Sequence, residues 1–389
     1  MPVKPGIEVL LEKKGKCLDG AVVGAVIHPA SVSGDMRHTV DGLMKTGRFR
    51  LVALFGPQHG ARGEQQDNMM ESGFYRDPHT HLPVYSLYGD TRRPTEEMMS
   101  DIDALIFDLQ DVGTRVYTFI STMAYCMEAC ARWGKRMVVL DRPNPINGLQ
   151  VEGNTLDMNR RSFVGLYPIP MRHGMTMGEL ALFFNSEFDI GCDVTVVEME
   201  GWEREHWHDQ TGLPWIMPSP NLPTLDSAAV YPGSVLIEGT CLSEGRGTTR
   251  PFELIGAPFV DGRRYAGEMN ARKLPGVFFR PVEFLPTFQK WAGETCGGVQ
   301  VHVLDRERFE PYFTGIALMS AARALYPESF TWRQPPYEYE YEKLPIELLC
   351  GNAAIPEMVW NGIPPETIRQ SWQAEQESFL RRRSRFLLY

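Results

Sequence analysis

The order of secondary structure is clearest in residues 104–133, which read ALIFDLQDVGTRVYTFISTMAYCMEACARW. The run 104–109 is apolar apart from Asp108, as expected for a strand of a parallel sheet that helices cover on both faces. A polar turn follows, and from Val116 the apolar side chains recur at three- to four-residue spacing until Gly134. This stretch predicts a buried strand, a polar loop at its carboxyl end and a covering helix over residues 116–133.

The same rhythm repeats through the first half of the chain. Further apolar runs, each followed by a polar or Gly/Pro-rich cluster, occupy residues 21–27, 51–55, 84–87, 137–140 and 194–197. Thr176 and Glu179 have the spacing of a capping box that opens a second covering helix. Strands that alternate with helical segments predict an α/β fold with a Rossmann-like, doubly wound and mostly parallel sheet.

The pattern changes after Gly201, where three tryptophans and the proline-rich segment 214–223 form a long irregular connection. Beyond it, strand-like runs at 277–279 and 299–304 and helical patterns near 315–325 and 364–380 predict a smaller α+β domain. We therefore expect a Rossmann-like domain over residues 1–212 and a C-terminal α+β domain over residues 213–389. A length of 389 residues suits two domains.

Charge and composition exclude several classes of partner. The chain has 39 basic and 49 acidic residues, and no long basic run is present to neutralise phosphates. The longest apolar run, residues 21–27, is far shorter than the ~20 residues that cross a bilayer, and the N-terminus lacks a secretory pattern. The seven cysteines form no CxxC pair. We expect a cytoplasmic protein with no nucleic-acid or membrane partner, and the oligomeric state stays open.

The sequence predicts neither a cofactor nor a metal. No G-x-G-x-x-G follows a predicted strand, no G-x-x-x-x-G-K-[ST] occurs, and no G-x-S-x-G nucleophile elbow is present. The pair His206 and His208 has suitable metal ligands, but this spacing in a tryptophan-rich segment is better explained by packing. Chemistry on carboxylates and histidines is therefore the better expectation.

Polar residues follow three of the predicted strands, in loops 56–64, 108–115 and 141–148. Ligands of open α/β sheets bind outside the carboxyl ends of the strands, so these loops are expected to line a cleft. Glu64, Asp108 and Asp111 supply carboxyl groups there, and glycoside hydrolysis usually needs two of them. For Asp108 and Asp111 a helix cap or an ion pair with Arg115 is an equal alternative.

Several of these segments together resemble the DUF1343 family, whose characterised members are NamZ-type exo-β-N-acetylmuramidases. The segments are FGPQHGARG (55–63), SLYG (86–89), FDLQDVGTR (107–115), LDRPNP (140–145), VEG (151–153), HGMT (173–176), PSPN (218–221), EGT (238–240) and SEGRGT (243–248). The resemblance is dense over residues 20–260. It implies a Rossmann-like domain, a smaller C-terminal domain and a cleft for a terminal N-acetylmuramic acid (MurNAc) residue of peptidoglycan fragments. The implied reaction is hydrolysis of the β-1,4 bond from the non-reducing end, with a small carbohydrate as substrate.

The resemblance also suggests which residues form the site. Those expected in the catalytic set are Glu64, Asp111 and His59. Those expected to bind substrate are Gln58, Arg115, Tyr117, Arg142, Asn144, Glu152, His173, Asn221, Glu244, Arg246 and Arg250. The lactyl carboxylate of MurNAc needs a cationic partner, for which Arg115, Arg142, Arg246 and Arg250 are the candidates.

One departure from the family pattern concerns Gln58. The usual family loop reads Pro-Glu-His-Gly, and an amide in place of that glutamate can act neither as a general acid nor as a nucleophile. Glu64 in the same loop is one replacement. The other candidates are Asp108, Asp111, Glu152 and Glu244. The alternatives are a muropeptide- or sugar-binding protein without turnover, and a hydrolase of the same fold with a different substrate.

Overall fold

The computed structural model describes residues 2–13, 15–63, 65, 69 and 73–389. The strands in this part are β1 (Val22–Val26), β2 (Arg50–Gly56), β3 (Tyr75–Arg76), β4 (Pro83–Ser86), β5 (Ala104–Phe107), β6 (Arg136–Leu140), β7 (Glu152–Thr155), β8 (Pro170–Arg172), β9 (Asp193–Val197), β10 (Leu254–Ala257), β11 (Val277–Phe284) and β12 (Cys296–Val303). The α-helices are α1 (Gly6–Glu12), α2 (Thr39–Lys45), α3 (Glu96–Met99), α4 (Phe119–Arg132), α5 (Met177–Glu187), α6 (Leu225–Ser234), α7 (Gly262–Ala271), α8 (Pro311–Leu325), α9 (Pro345–Cys350), α10 (Ala354–Trp360), α11 (Pro365–Ser371) and α12 (Gln373–Arg383).

The large sheet has the strand order β3-β4-β2-β1-β5-β6-β9. Its neighbouring strands run parallel, except that the short edge strand β3 is antiparallel to β4. Without β3, this is the order of a doubly wound Rossmann sheet, and the direction of winding reverses between β1 and β5. The predicted fold class is therefore confirmed. Each of the six predicted runs lies in a strand, within one or two residues at most of its ends.

The predicted helix after β5 begins later than the sequence pattern suggested. It starts at Phe119 instead of Val116, because residues 115–118 form a turn. Eleven of the fourteen residues of α4 are buried, since the helix is covered by the sheet on one side and by the rest of the protein on the other. The turn leaves Tyr117 and Thr118 beside the carboxyl ends of the strands.

Helix α5 follows the sequence prediction closely. The Thr176 side chain accepts a hydrogen bond from the backbone N–H of Glu179, and the Glu179 carboxylate accepts one from the backbone N–H of Thr176. This reciprocal capping box fixes the first turn of the helix. In contrast, the pattern over residues 364–380 is divided into α11 and α12, which meet at Trp372.

The second half of the chain contains a smaller antiparallel sheet of order β10-β12-β11. Strand β10 and the hairpin β7–β8 were not predicted, because segments of three or four residues that contain glycine or polar side chains are too short to show an apolar period. One continuous apolar core joins this half to the large sheet, and it includes Phe107 of β5, Val299 of β12 and Ile316 of α8. The expected domain boundary between residues 212 and 213 stays a prediction. None of the described helices is long and apolar enough to cross a membrane.

Candidate active site

A narrow cleft lies at the carboxyl end of β2, between the large sheet and the second half of the chain. The residues that line it are Gln58, His59, Val116, Tyr117, Thr118, Val164, Ser219, Asn221, Tyr231, Glu238, Arg246, Phe252, Tyr337 and Glu338. Its free volume is about 30 Å³, and a wider cavity of about 310 Å³ adjoins it at Ser219. The two parts of the chain thus supply opposite walls of one polar cleft.

Gln58 connects these walls through its side-chain amide. Its Nε2 donates hydrogen bonds to Glu338 Oε1 at 3.0 Å and to the Tyr88 hydroxyl oxygen at 3.1 Å. Its Oε1 accepts a hydrogen bond from the Thr118 hydroxyl. Tyr88 in turn donates to Glu338 Oε2 at 2.7 Å. The amide orientation is fixed by these partners, and both oxygens of Glu338 are held in place.

The electrostatic setting of Glu338 raises the pKa of its carboxyl group. Burial raises the pKa of Glu338 to about 6, although the hydrogen bonds from Tyr88 and Gln58 act in the opposite direction. The nearby Glu238 carboxylate raises this pKa further. The Glu338 backbone has a φ of 48°, a left-handed conformation that non-glycine residues rarely adopt. A strained, buried carboxyl group with a raised pKa is a typical proton donor of an active site.

Glu238 is the second carboxylate of the cleft. Its Oε1 accepts a hydrogen bond from Arg246 Nη2 at 2.6 Å, and its Oε2 accepts one from the Tyr337 hydroxyl at 2.7 Å. Arg246 Nε also lies 3.4 Å from Glu244 Oε1, and Lys290 pairs with the other oxygen of Glu244 at 2.8 Å. Two carboxylates and two cations therefore alternate from the cleft wall into the protein behind it, which keeps the group nearly neutral.

The guanidinium of Arg246 stays positively charged, and part of it is available to a ligand. Burial alone lowers its pKa, but Glu238 and Glu244 outweigh burial, so the pKa lies above the usual range of arginine. Arg246 is only 7% exposed, and its Nη1 has no hydrogen-bond partner among the described residues. A buried guanidinium with an unused N–H pair suits an anionic oxygen of a ligand.

His59 follows Gln58 on the same wall. Burial lowers the pKa of the imidazole to about 4, and the positive charge of Arg246 acts in the same direction. Its Nδ1 lies 2.6 Å from the backbone carbonyl oxygen of Gln65, an atom that can only accept. Nδ1 therefore carries the proton in the neutral ring, and Nε2 keeps its lone pair. The residue has a φ of 72°, a second left-handed backbone at this site.

Asp111 lies deeper than the cleft. Its Oδ2 accepts a hydrogen bond from the backbone N–H of Gly113 at 2.7 Å and lies 3.2 Å from His173 Nε2. Asp111 is 4% exposed and is not among the residues that line the cleft. These contacts are more like those of a cap or an ion pair, the structural alternative for Asp111, than like those of a residue that contacts substrate. Its predicted catalytic role stays a prediction.

The structure brings together five of the predicted residues in the cleft: Gln58, His59, Tyr117, Asn221 and Arg246. Tyr117 donates its hydroxyl proton to the Pro218 carbonyl oxygen at 2.6 Å, which connects the turn before α4 to the long irregular segment. Glu244 and His173 are buried behind the cleft walls. Glu64, predicted as catalytic, lies outside the described residues.

The other predicted substrate-binding residues have partners within the protein and lie away from the cleft. Arg142 forms a bidentate ion pair with Asp108, with distances of 2.5 and 2.9 Å. Arg115 Nη2 donates to the carbonyl oxygens of Leu349 and Cys350 at the end of α9. The remaining three also have partners within the protein. Asn144 contacts Met175 and Ile146, and Glu152 accepts hydrogen bonds from the first turn of α8. Arg250 forms an ion pair with Glu253.

Sequence reasoning missed Glu338, Tyr337 and Tyr88 as site residues. Glu338 belongs to the segment YEYEYE at 337–342, whose alternating acidic and aromatic residues give no motif. It lies 280 positions from Gln58 along the chain, so only the fold shows that the two meet. Glu238 was noted within a family motif, but without a role.

The two buried carboxyl groups, one of them with a raised pKa, give this cleft the chemical groups of a glycoside hydrolase. That is the class to which this protein belongs. Residues 23–226 match the N-terminal domain of the exo-β-N-acetylmuramidase NamZ, and residues 229–389 match the C-terminal domain of NamZ. The chain is therefore a member of the NamZ exo-β-N-acetylmuramidase family.

Full-length relatives support this membership. The chain is 47% identical over 387 residues to the peptidoglycan β-N-acetylmuramidase NamZ of Bacillus subtilis (strain 168), covering 100% of this chain and 91% of that protein. Two DUF1343 family crystal structures from Bacteroides fragilis NCTC 9343 are also similar. One has a TM-score of 0.92 at 39% identity, and the other has a TM-score of 0.79 at 30% identity. Each alignment covers 100% of this chain and 99% of the other.

Proposed function

We propose that this protein is an exo-β-N-acetylmuramidase that hydrolyses the β-1,4 bond of a terminal MurNAc residue in peptidoglycan fragments. The observation that carries the proposal is the contact between Gln58 and Glu338. It places a carboxyl group with a raised pKa next to the position where the family loop usually has its glutamate. The missing acid at position 58 is therefore compensated from the other half of the chain.

In this proposal Glu338 is the general acid. Its carboxyl proton passes to the glycosidic oxygen, the bond from that oxygen to C1 of MurNAc breaks, and the leaving sugar keeps the electron pair. A water molecule forms the new bond to C1 and gives its proton to the neutral His59 Nε2. The negative charge of Glu238 stabilises the positive charge that develops at C1 in the transition state. Solvent returns the proton from His59 to Glu338.

Arg246 is the residue that we assign to the lactyl carboxylate of MurNAc. Of the four arginines considered from the sequence, it alone lines the cleft in the described part of the chain. Its free Nη1 is available for a charge-assisted hydrogen bond to an anionic oxygen. This contact would allow the site to distinguish MurNAc from N-acetylglucosamine (GlcNAc), which lacks the lactyl group.

The test is the release of MurNAc from the disaccharide MurNAc-β-1,4-GlcNAc. We expect Glu338→Gln to lower kcat by about 10²- to 10⁴-fold, the usual contribution of a general acid. Glu342→Gln is the matched control, because it makes the same chemical change in the same segment at an exposed side chain. A Glu338→Gln protein that keeps more than about a tenth of the wild-type kcat would exclude this role.

The same assay examines the carboxylates that were predicted from the sequence. Glu64→Gln and Asp111→Asn show whether either residue acts in the reaction. Tight binding of the disaccharide by the wild type without release of MurNAc would support the alternative of a binding protein. The cytoplasmic location also stays a proposal, supported by the free thiols of all seven cysteines, five of which are buried.

A further inference from the structure

The cavity next to the cleft lies at the carboxyl end of β1, beside the point where the strand order reverses. Doubly wound sheets bind their ligands at this point. The cavity has a volume of about 310 Å³, and Ser219 lines both this cavity and the cleft. The mechanism proposed above uses none of the other residues of the cavity.

His28 forms the floor of this cavity and carries a buried donor without a partner. The residue is 1% exposed, and its Nδ1 accepts a hydrogen bond from the backbone N–H of Ala30 at 3.2 Å. Nδ1 therefore has the lone pair, and the proton of the neutral ring is on Nε2. Among the described residues, Nε2 has no hydrogen-bond partner. Burial, followed by the nearby His59, holds the pKa of His28 well below its usual range, so the ring stays neutral.

Gly63 and two prolines border this buried donor. A Cβ atom at Gly63 would lie 3.5 Å from His28 Nε2 and 2.9 Å from Pro29 Cγ, so a side chain there would cover the nitrogen. The walls are formed by Pro29, Pro220 and Met217, and Met217 is 50% exposed at the rim. The cavity thus combines one neutral N–H donor with mostly apolar walls. The exposed Arg62, whose guanidinium lies 3.8 Å from the Asp77 carboxylate, also lines it.

This combination fits an acetamido group. The carbonyl oxygen of that group would accept the hydrogen bond from His28 Nε2, and its methyl group would pack against the prolines and Met217. We propose that the cavity binds the N-acetyl group of the leaving sugar, so that His28 selects GlcNAc on the reducing side of the cleaved bond. This inference rests on the proposed function, because the leaving sugar is defined by the bond that is cleaved.

The first test compares two substrates that differ only in this group: MurNAc-β-1,4-GlcNAc and MurNAc-β-1,4-glucose. The readout is the ratio of their kcat/KM values, in which any general effect on the fold or the reaction cancels. We expect His28→Asn to reduce this ratio about tenfold, the effect of one lost neutral hydrogen bond. Asn keeps an acceptor for the Ala30 N–H but does not reach the cavity. His28→Gln restores a donor at the longer reach and should recover the preference.

The second test needs no turnover. Saturation-transfer NMR with free GlcNAc should show the strongest transfer at the acetyl methyl protons in the wild type, and weaker transfer in His28→Asn. An unchanged substrate ratio in His28→Asn, or no transfer to the methyl group in the wild type, would overturn the inference. A wild type that cleaves neither disaccharide would refute the proposed function, and the NMR measurement would still decide on the cavity.

Discussion

Replacing Gln58 by glutamate should move the pH range of activity upward. The Gln58 Nε2 atom lies 3.0 Å from Glu338 Oε1, so the variant places two carboxyl groups in direct contact. Two unit charges at this distance repel by about 5 kcal/mol at an effective dielectric constant of about 20. This energy corresponds to a rise of roughly four pH units in the second ionisation of the pair.

The wild-type acid loses its proton near the Glu338 pKa of about 6. In Gln58→Glu the two carboxyls share one proton well above that pH, so the acid form persists through the neutral range. We therefore expect the alkaline limb of the kcat/KM profile for MurNAc release to shift upward by several pH units. The assay is disaccharide hydrolysis measured over the range from about pH 4 to about pH 10.

Gln334→Glu is the matched control, because Gln334 is exposed in the same segment as Glu338 and its change adds the same charge. Its profile should coincide with that of the wild type. An alkaline limb in Gln58→Glu within about half a pH unit of the wild type would refute the reasoning, because it would show that position 58 does not act on the catalytic proton. Loss of all activity in a folded Gln58→Glu protein would refute it equally.

Three further predictions follow from buried charges. The wild-type kcat/KM should depend on pH as a bell-shaped curve. It should rise through about pH 4 as His59 loses its proton and fall through about pH 6 as Glu338 loses its proton. A kcat/KM that stays constant from about pH 4 to about pH 8 would contradict this prediction. Asp108→Asn leaves Arg142 buried without its carboxylate, and unfolding in urea should show a loss of about 3–5 kcal/mol. Burial raises the pKa of Glu152 to about 7, so its stabilising contribution is complete below the unfolded-state value near 4.5 and is lost as the pH rises through 7. The wild-type free energy of unfolding should therefore decrease between about pH 4 and about pH 8, and in Glu152→Gln this decrease should be smaller by about 3 kcal/mol.

The elements that the sequence predicted best are those whose signal lies within their own residues. Strand β5 has four buried apolar residues in succession, and α5 has a capping box that requires only Thr176 and Glu179. The elements that were missed depend on distant contacts. Strand β10 contains the sequence LIGA and pairs with β12, where Gly256 and Gly298 allow the two backbones to approach closely. Such packing leaves no periodic signal in a single sequence.

The site was predicted less completely for a related reason. The loop with Gln58 and His59 was recognisable because polar residues follow a buried strand. Arg142 looked like a ligand-binding residue at a strand end, yet it neutralises Asp108 inside the protein. Sequence alone cannot separate a cation that binds substrate from one that pairs with a buried carboxylate, since both have the same residue type at the same place.

The position of Arg115 has a consequence for incomplete chains. Its guanidinium is fully buried and depends on the carbonyl oxygens of Leu349 and Cys350. A polypeptide that stops before residue 349 would bury this cation without those acceptors, or leave the turn before α4 unfolded. Prematurely terminated products of translation should therefore be degraded rather than accumulate as stable fragments.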